Sequence, residues 1–229
     1  MPSSRAVHTS GCTWRYEELA RTSGYQRVAG CDEAGRGSLL GPLYAAAVIL
    51  DPARPIAGVD DSKKLSPAAR AGLAKAIEAT SLAYCVIAVS AREVDRLNVY
   101  EASRLAMIQA IEGLNLPPDF ILTDAMPLQP RLGNRGLHLP HTSIIRGDTQ
   151  SVSIAAASIL AKVHRDRHMM ELDALYPQYN LASNKGYGTP LHLQAILRHG
   201  PCAEHRRTYQ PVKDMELPFL TGISETGEA

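Results

Sequence analysis

The chain has 229 residues, 45% of them hydrophobic and 21% charged, with a formal net charge of +1. That is ample apolar material for a core, so a disordered or fibrous chain is excluded and one domain of the larger kind is expected. A sequence pI near 7.7 gives no whole-chain reason for a polyanionic partner, since nucleic-acid modules typically lie above a pI of about 9. Any such partner must be met by local clusters. No stretch approaches the roughly 18 uninterrupted apolar residues of a membrane span. The start from Met1 to Ser10 is polar, without a signal-peptide core, so a cytoplasmic protein is expected. Cys12, Cys31, Cys85 and Cys202 form no Cys-x-x-Cys pair, and neither a disulfide framework nor a zinc knuckle fits them.

In chain order, Tyr16 to Ala20 reads as a short helix closed by Gly24. Arg27 to Asp32 reads as a short strand, followed by a glycine-rich turn from Glu33 to Gly37. The apolar run from Pro42 to Leu50 suits a strand buried on both faces. A polar loop through Asp60, Asp61, Ser62, Lys63 and Lys64 leads to Ser66 and Pro67, an N-cap with proline at the first helical position. That helix should run to about Thr80, with a strand from Leu82 to Val89 after it. Ser90 with Glu93 three residues on is a capping-box signal.

A further helix is expected near Glu101 to Leu114, then a strand from Phe120 to Thr123 ending at Asp124. A loop rich in glycine, proline and arginine leads to His138 to Ile145. Ser153 to about Leu175 is the strongest helical segment, its first half so rich in alanine and aliphatic residues that it should be buried. Thr189 and Pro190 open another helix that Gly200 and Pro201 end, and from Lys213 the chain turns polar. Early strands with short connections, then strands alternating with helices, indicate a mixed α/β sheet.

Asp32, Glu33, Asp124 and Asp148 stand at element ends, where α/β sheets usually bind ligands. Clustered carboxylates suit hard divalent cations, and a pair of such ions can activate a water and stabilise the leaving oxygen of a phosphodiester. A single acid can equally just solubilise a strand end. Because strand neighbours point to opposite faces, Asp32 and Glu33 are expected to share a site only if the strand stops there.

The segment from Gly35 to Gly41 misses the G-x-G-x-x-G spacing and precedes a strand. It reads better as a loop whose backbone N–H groups approach a ligand. His164 and His168 have the spacing of a zinc helix, but Arg165 stands where that motif has glutamate. Arg165 with Asp166 is expected in a local ion-pair network or facing a phosphate. No G-x-S-x-G elbow supports a serine hydrolase. Basic residues gather at Lys63 and Lys64, Arg131 to Arg146, Lys162 to Arg167, Lys185, and Arg198 to Arg207, each of which can also be a solvated face. Tyr187, between Gly186 and Gly188, is presented openly, as a stacking platform for a base or sugar would be.

Taken together, these segments resemble the ribonuclease HII family, the bacterial type 2 ribonucleases H. The stretches that carry the resemblance are Val28 to Gly37 with Gly41-Pro42, Asp61 to Ser66, Ile121 to Ala125 and Arg146-Gly147-Asp148. Ser153 to Lys162 with Arg165-Asp166, Lys185 to Thr189, and Gly200 to Cys202 with His205-Arg206-Arg207 complete it in the family's order.

The resemblance implies a ribonuclease H-like mixed α/β sheet flanked by helices, with a C-terminal helical extension. The implied catalytic domain is 27–212, between a lead-in at 1–26 and a polar tail at 213–229. It implies two-metal, Mn²⁺- or Mg²⁺-dependent hydrolysis of the RNA strand of RNA–DNA hybrids, including the bond 5′ to a single ribonucleotide in duplex DNA. The products would be 3′-hydroxyl and 5′-phosphate ends. Asp32, Glu33, Asp124 and Asp148 match the family's metal-binding carboxylates. Gly35, Arg36 and Gly37 match the loop that senses the ribose 2′-hydroxyl, and Tyr187 the tyrosine that stacks on the junction sugar. Lys63, Lys162, Arg165 and Lys185 fall in motif positions assigned to phosphate contacts. A monomer is expected.

Three departures stand out: Ser38-Leu39-Leu40 after the Gly-Arg-Gly turn, Cys31 before the acids, and Thr123 before Asp124. None removes a metal ligand. A ribonuclease HIII-like nuclease and a catalytically silent hybrid-binding module are the alternatives.

Overall fold

The computed structural model describes residues 11–60, 62–130 and 136–215. Asp61, Arg131, the first ten residues and the tail after Met215 therefore lie outside the described residues. Five strands form one mixed sheet: β1 (Val28–Ala34), β2 (Leu43–Ile49), β3 (Ala83–Val89), β4 (Phe120–Asp124) and β5 (His141–Ile144), in the order β3-β2-β1-β4-β5. β1 pairs antiparallel with β2 across a short connection, and β2 antiparallel with β3 across the segment that holds α2, while β4 joins parallel to β1 and β5 parallel to β4. Among the described residues the helices include α1 (Arg15–Thr22), α2 (Pro67–Thr80), α3 (Ala91–Leu97), α4 (Val99–Glu112), α5 (Val152–Leu175), α6 (Leu181–Asn184) and α7 (Pro190–His199).

The expected mixed sheet with C-terminal helices is thus observed. Local signals placed most boundaries well. Ser66 caps α2 by accepting from the Ala69 N–H at 3.2 Å, and Ser90 caps α3 by accepting from Glu93 N–H at 3.2 Å. Sequence reading missed the short α6 and the 3₁₀ turns at Gly147–Thr149 and Pro177–Tyr179, which lack enough residues to show a period. Within the segment from His138 to Ile145, His141–Ile144 pair with β4.

β2 is buried on both faces, and its residues divide by parity. Leu43, Ala45, Ala47 and Ile49 pack with α4, whereas Ala46, Val48 and Leu50 pack with α2 and the apolar half of α5. Small side chains let helices lie close on either side of this central strand. The closest approach is at Gly30 of β1, where a Cβ would collide with the backbone of Ser153 and Ile154. α1 locks the start of α5: Glu17 Oε1 accepts from Ser151 Oγ at 2.6 Å and from the Ser153 N–H at 2.9 Å. A third cluster joins Leu39 and Leu40 to Met169, Leu172, Tyr179 and Ile196, fastening the C-terminal helices to the loop that follows β1. No described helix is long and apolar enough to cross a membrane.

Candidate active site

β1 does not end at Asp32; it runs to Ala34, carrying both Asp32 and Glu33. They nevertheless line one cleft of about 270 Å³. The reason is the ladder. β4 pairs with β1 only as far as Cys31, so beyond that residue the β4 side of the strand lies open. Asp124 is the last residue of β4, and Ala125 turns away at once with φ of +50°. Asp148 comes from the 3₁₀ turn before α5.

One carboxylate oxygen from each of Asp32, Asp124 and Asp148 lies within 4.8 Å of the other two. Asp124 Oδ1 accepts from the Gly147 N–H at 2.7 Å, and Asp148 Oδ2 from Lys63 Nζ at 2.8 Å. Glu33 stands apart from the trio. Its Oε1 accepts from Arg36 Nη1 at 3.2 Å, while its buried Oε2 has no partner. Burial, then the charges of Glu33 and Asp124, pushes the Asp32 carboxyl far above the usual range, against a hydrogen bond from Ser158. Burial also raises Glu33, opposed chiefly by Arg36, and raises Asp124, opposed by the Gly147 N–H. Oxygen-only donors and an orphaned buried carboxylate oxygen fit a hard divalent cation.

Ala34 to Gly37, Ser62, Lys63, Ser158, Lys162 and Tyr187 complete the cleft, and Asp148 opens on an adjoining one that shares Lys63 and Asp124. Gly35 has φ of +92°, and a Cβ there would strike the Arg165 side chain. Lys162 Nζ lies 5.9 Å and Arg165 Cζ 5.5 Å from the Tyr187 ring centroid.

One expected contact is corrected by the geometry. Arg165 is wholly buried and has no surface for a phosphate. Its guanidinium donates instead to the carbonyls of Pro42, Leu40 and Lys185 and to Ser38 Oγ, at 2.8 to 3.3 Å. Lys185 lies outside the cleft, in a separate groove with Arg70 and Arg167. The two helical histidines are engaged elsewhere, His164 by Glu78 at 2.9 Å and His168 by Tyr44 at 2.8 Å. Of the ion-pair network, Asp166 is the centre, held by Lys162 at 2.6 Å and Arg70 at 3.5 Å.

Sequence reasoning missed Ser62 and Ser158, whose hydroxyls meet at 3.1 Å beside Asp32; isolated serines carry no pattern. Arg206 is buried, donating to the Arg36 carbonyl at 2.8 Å and to the Gly41 carbonyl at 2.9 Å, with Tyr209 Oη joining at Arg36 at 2.7 Å. Two of the sequence departures have local reasons. Ser38 Oγ donates to the Gly35 carbonyl at 2.9 Å, and Thr123 Oγ1 donates to the Met126 carbonyl at 2.6 Å.

The sequence model of the family described as ribonuclease HII matches residues 29–212. A ribonuclease HII of Geobacillus kaustophilus is 49% identical over 201 residues, 88% of this chain and 75% of that protein. The crystal structure of the ribonuclease H2 from Pyrococcus horikoshii OT3 has a TM-score of 0.72 and 26% identity, covering 86% of this chain and 100% of that one. Bst ribonuclease HIII in complex with Mn²⁺ has a TM-score of 0.66 at 20% identity, covering 97% of this chain and 75% of its own, and shares the fold. A family match over most of the chain, joined to near-half identity with a curated relative, leads to one conclusion: the chain belongs to the ribonuclease HII family and is a ribonuclease H enzyme.

Proposed function

We propose that the protein hydrolyses the RNA strand of RNA–DNA hybrids and cuts 5′ to single ribonucleotides in duplex DNA, leaving 3′-hydroxyl and 5′-phosphate ends. The observation that carries this reading is the convergence of Asp32, Asp124 and Asp148 in one place, beside the Gly35–Gly37 loop and Tyr187. Those three acids, with Glu33, would hold two divalent cations, Mn²⁺ or Mg²⁺. Bound there, the cations would supply Lewis acidity for the attack of water on the scissile phosphodiester and for departure of the 3′ oxygen.

The chain's own groups do the rest. Gly35, Arg36 and Gly37 put backbone against the ribose, close enough to sense its 2′-hydroxyl. Tyr187, 38% exposed at the cleft, stacks on the sugar at the RNA–DNA junction. Lys63 and Lys162 meet the phosphates on either side, and Lys185 follows the strand beyond the cleft. Near-half identity to a ribonuclease HII favours this over a type HIII reading, and a silent binding module would have no use for buried, mutually repelling acids.

The test is cleavage of a labelled DNA duplex containing one ribonucleotide, with Mn²⁺ or Mg²⁺ against a chelator control. A single metal-dependent cut 5′ to the ribonucleotide is expected. Cleavage of long hybrids alone would remove the roles given to Gly35–Gly37 and Tyr187, and no cleavage would remove the activity.

A further inference from the structure

Tyr187 is held from behind by a chain of side chains that the reading above leaves without a role. His192, in the first turn of α7, is wholly buried, and its Nδ1 lies 2.9 Å from the Tyr187 carbonyl oxygen. Its Nε2 lies 3.3 Å from Nε2 of the buried His205. Nδ1 of His205 in turn accepts from the Cys202 N–H at 3.0 Å, with Cys202 Sγ at 3.2 Å.

The tautomers follow from donor logic. A carbonyl oxygen only accepts, so His192 carries its proton on Nδ1 and its Nε2 is an acceptor. His205 then donates from Nε2, which leaves its Nδ1 free to accept from Cys202. Every donor points the same way, from Cys202 through both rings to Tyr187, an arrangement in which each bond polarises the next. Burial holds both rings neutral: it pushes His192 down and, helped by the neighbouring His192, takes His205 to about 3. Tyr179 packs edge-on to both, at 6.0 and 4.8 Å between centroids, and its hydroxyl donates to the Gly200 carbonyl at 2.6 Å.

A tyrosine between two glycines has little backbone rigidity of its own. Here its carbonyl is fixed by His192 and by the Thr189 N–H at 2.8 Å, which sets the peptide plane and with it the direction of the side chain. We propose that His192, its tautomer set by His205 and Cys202, is a positioning residue that orients Tyr187 for stacking at the ribonucleotide junction. This rests on the role given to Tyr187 above.

The experiment measures kcat and KM on the single-ribonucleotide duplex for the parent, His192→Phe and His192→Asn, each with and without Tyr187→Ala. His192→Phe should lose roughly 2- to 12-fold in kcat/KM, the scale of one hydrogen bond. Asparagine can donate from the Nδ1 position, so His192→Asn should recover most of that loss. With Tyr187→Ala already present, changing His192 should cost nothing more, as expected for residues acting through one another. An equal loss in both backgrounds, or none in either, overturns the proposal.

If His192→Phe fails to fold, His192→Gln replaces it, because glutamine reaches the Nε2 position but not Nδ1. Asparagine should then exceed glutamine, and equal rates overturn the proposal. Should Tyr187→Ala cut like the parent, the stacking role itself falls and the relay's purpose with it. An impaired Tyr187→Ala with additive His192 effects removes only the relay.

Discussion

Carboxyl groups gathered in a partly buried cleft are costly, because each disfavours ionisation of its neighbours. Asp32, Glu33 and Asp124 all have raised pKa values. A group whose folded pKa is raised contributes stability below its unfolded pKa of about 4, and that contribution is lost as pH rises toward the folded value. Asp124→Asn, uncharged at every pH, should therefore melt above the parent in EDTA, by a margin that grows as pH rises above about 4. His192 and His205 run in the opposite sense, since their depressed pKa values cost stability as pH falls below about 6.5. Parent and variant share those histidines, so the difference between them reports on the carboxylate cluster alone. The same variant should lose at least roughly 1,000-fold in turnover, a loss of charge stabilisation of the kind seen when a key polar group is removed. A near-parent rate would take Asp124 out of the metal site.

At the scale of elements, the cleft exists because two structures end at different places. β1 runs past its parallel partner, and β4 stops at Asp124. α5 then lies directly against β1, carrying Ser158 and Lys162 to the cleft with the buried Arg165 behind them. Gly30 sets that distance. Gly30→Ala should lower unfolding stability by about 1–3 kcal/mol or more, since the collision is with backbone that has nowhere to move. A chemical denaturation midpoint measures it, and an unchanged midpoint would mean that α5 can shift away from the strand. The loop after β1 is gripped by two buried arginines, Arg165 from α5 and Arg206 from the C-terminal segment. Its geometry is therefore a property of elements far apart in the chain.

For the whole molecule, a ligand that binds only the folded state stabilises it by mass action. Mn²⁺ or Mg²⁺ added to chelated protein should raise the melting temperature with concentration, and Asp124→Asn should blunt that rise. No shift with either ion would count against a metal centre here. With a net charge of only +1, the proposed hybrid binding would fall to local cations such as Lys63 and Lys162. Affinity should fall as salt rises, with a slope that becomes shallower by about one for each phosphate contact removed, as in Lys63→Ala.

Much of this was legible in the sequence, for a physical reason. Caps such as Ser66-Pro67, the doubly buried strand at 43–49 and the alanine-rich half of α5 act over a few residues, so their order along the chain determines the elements. The acids and the glycine-flanked Tyr187 stand out as motifs because few residue types offer their chemistry, and the fold brings them to adjoining clefts. What no local pattern determines is which polar groups become buried together. Arg165 and Arg206 look like surface cations until packing encloses them, and Ser62, Ser158, His192 and His205 carry no spacing signal. Asp32 and Glu33 share a cleft only because β4 stops pairing after Cys31. Those outcomes depend on where distant segments meet, and only the tertiary structure decides that.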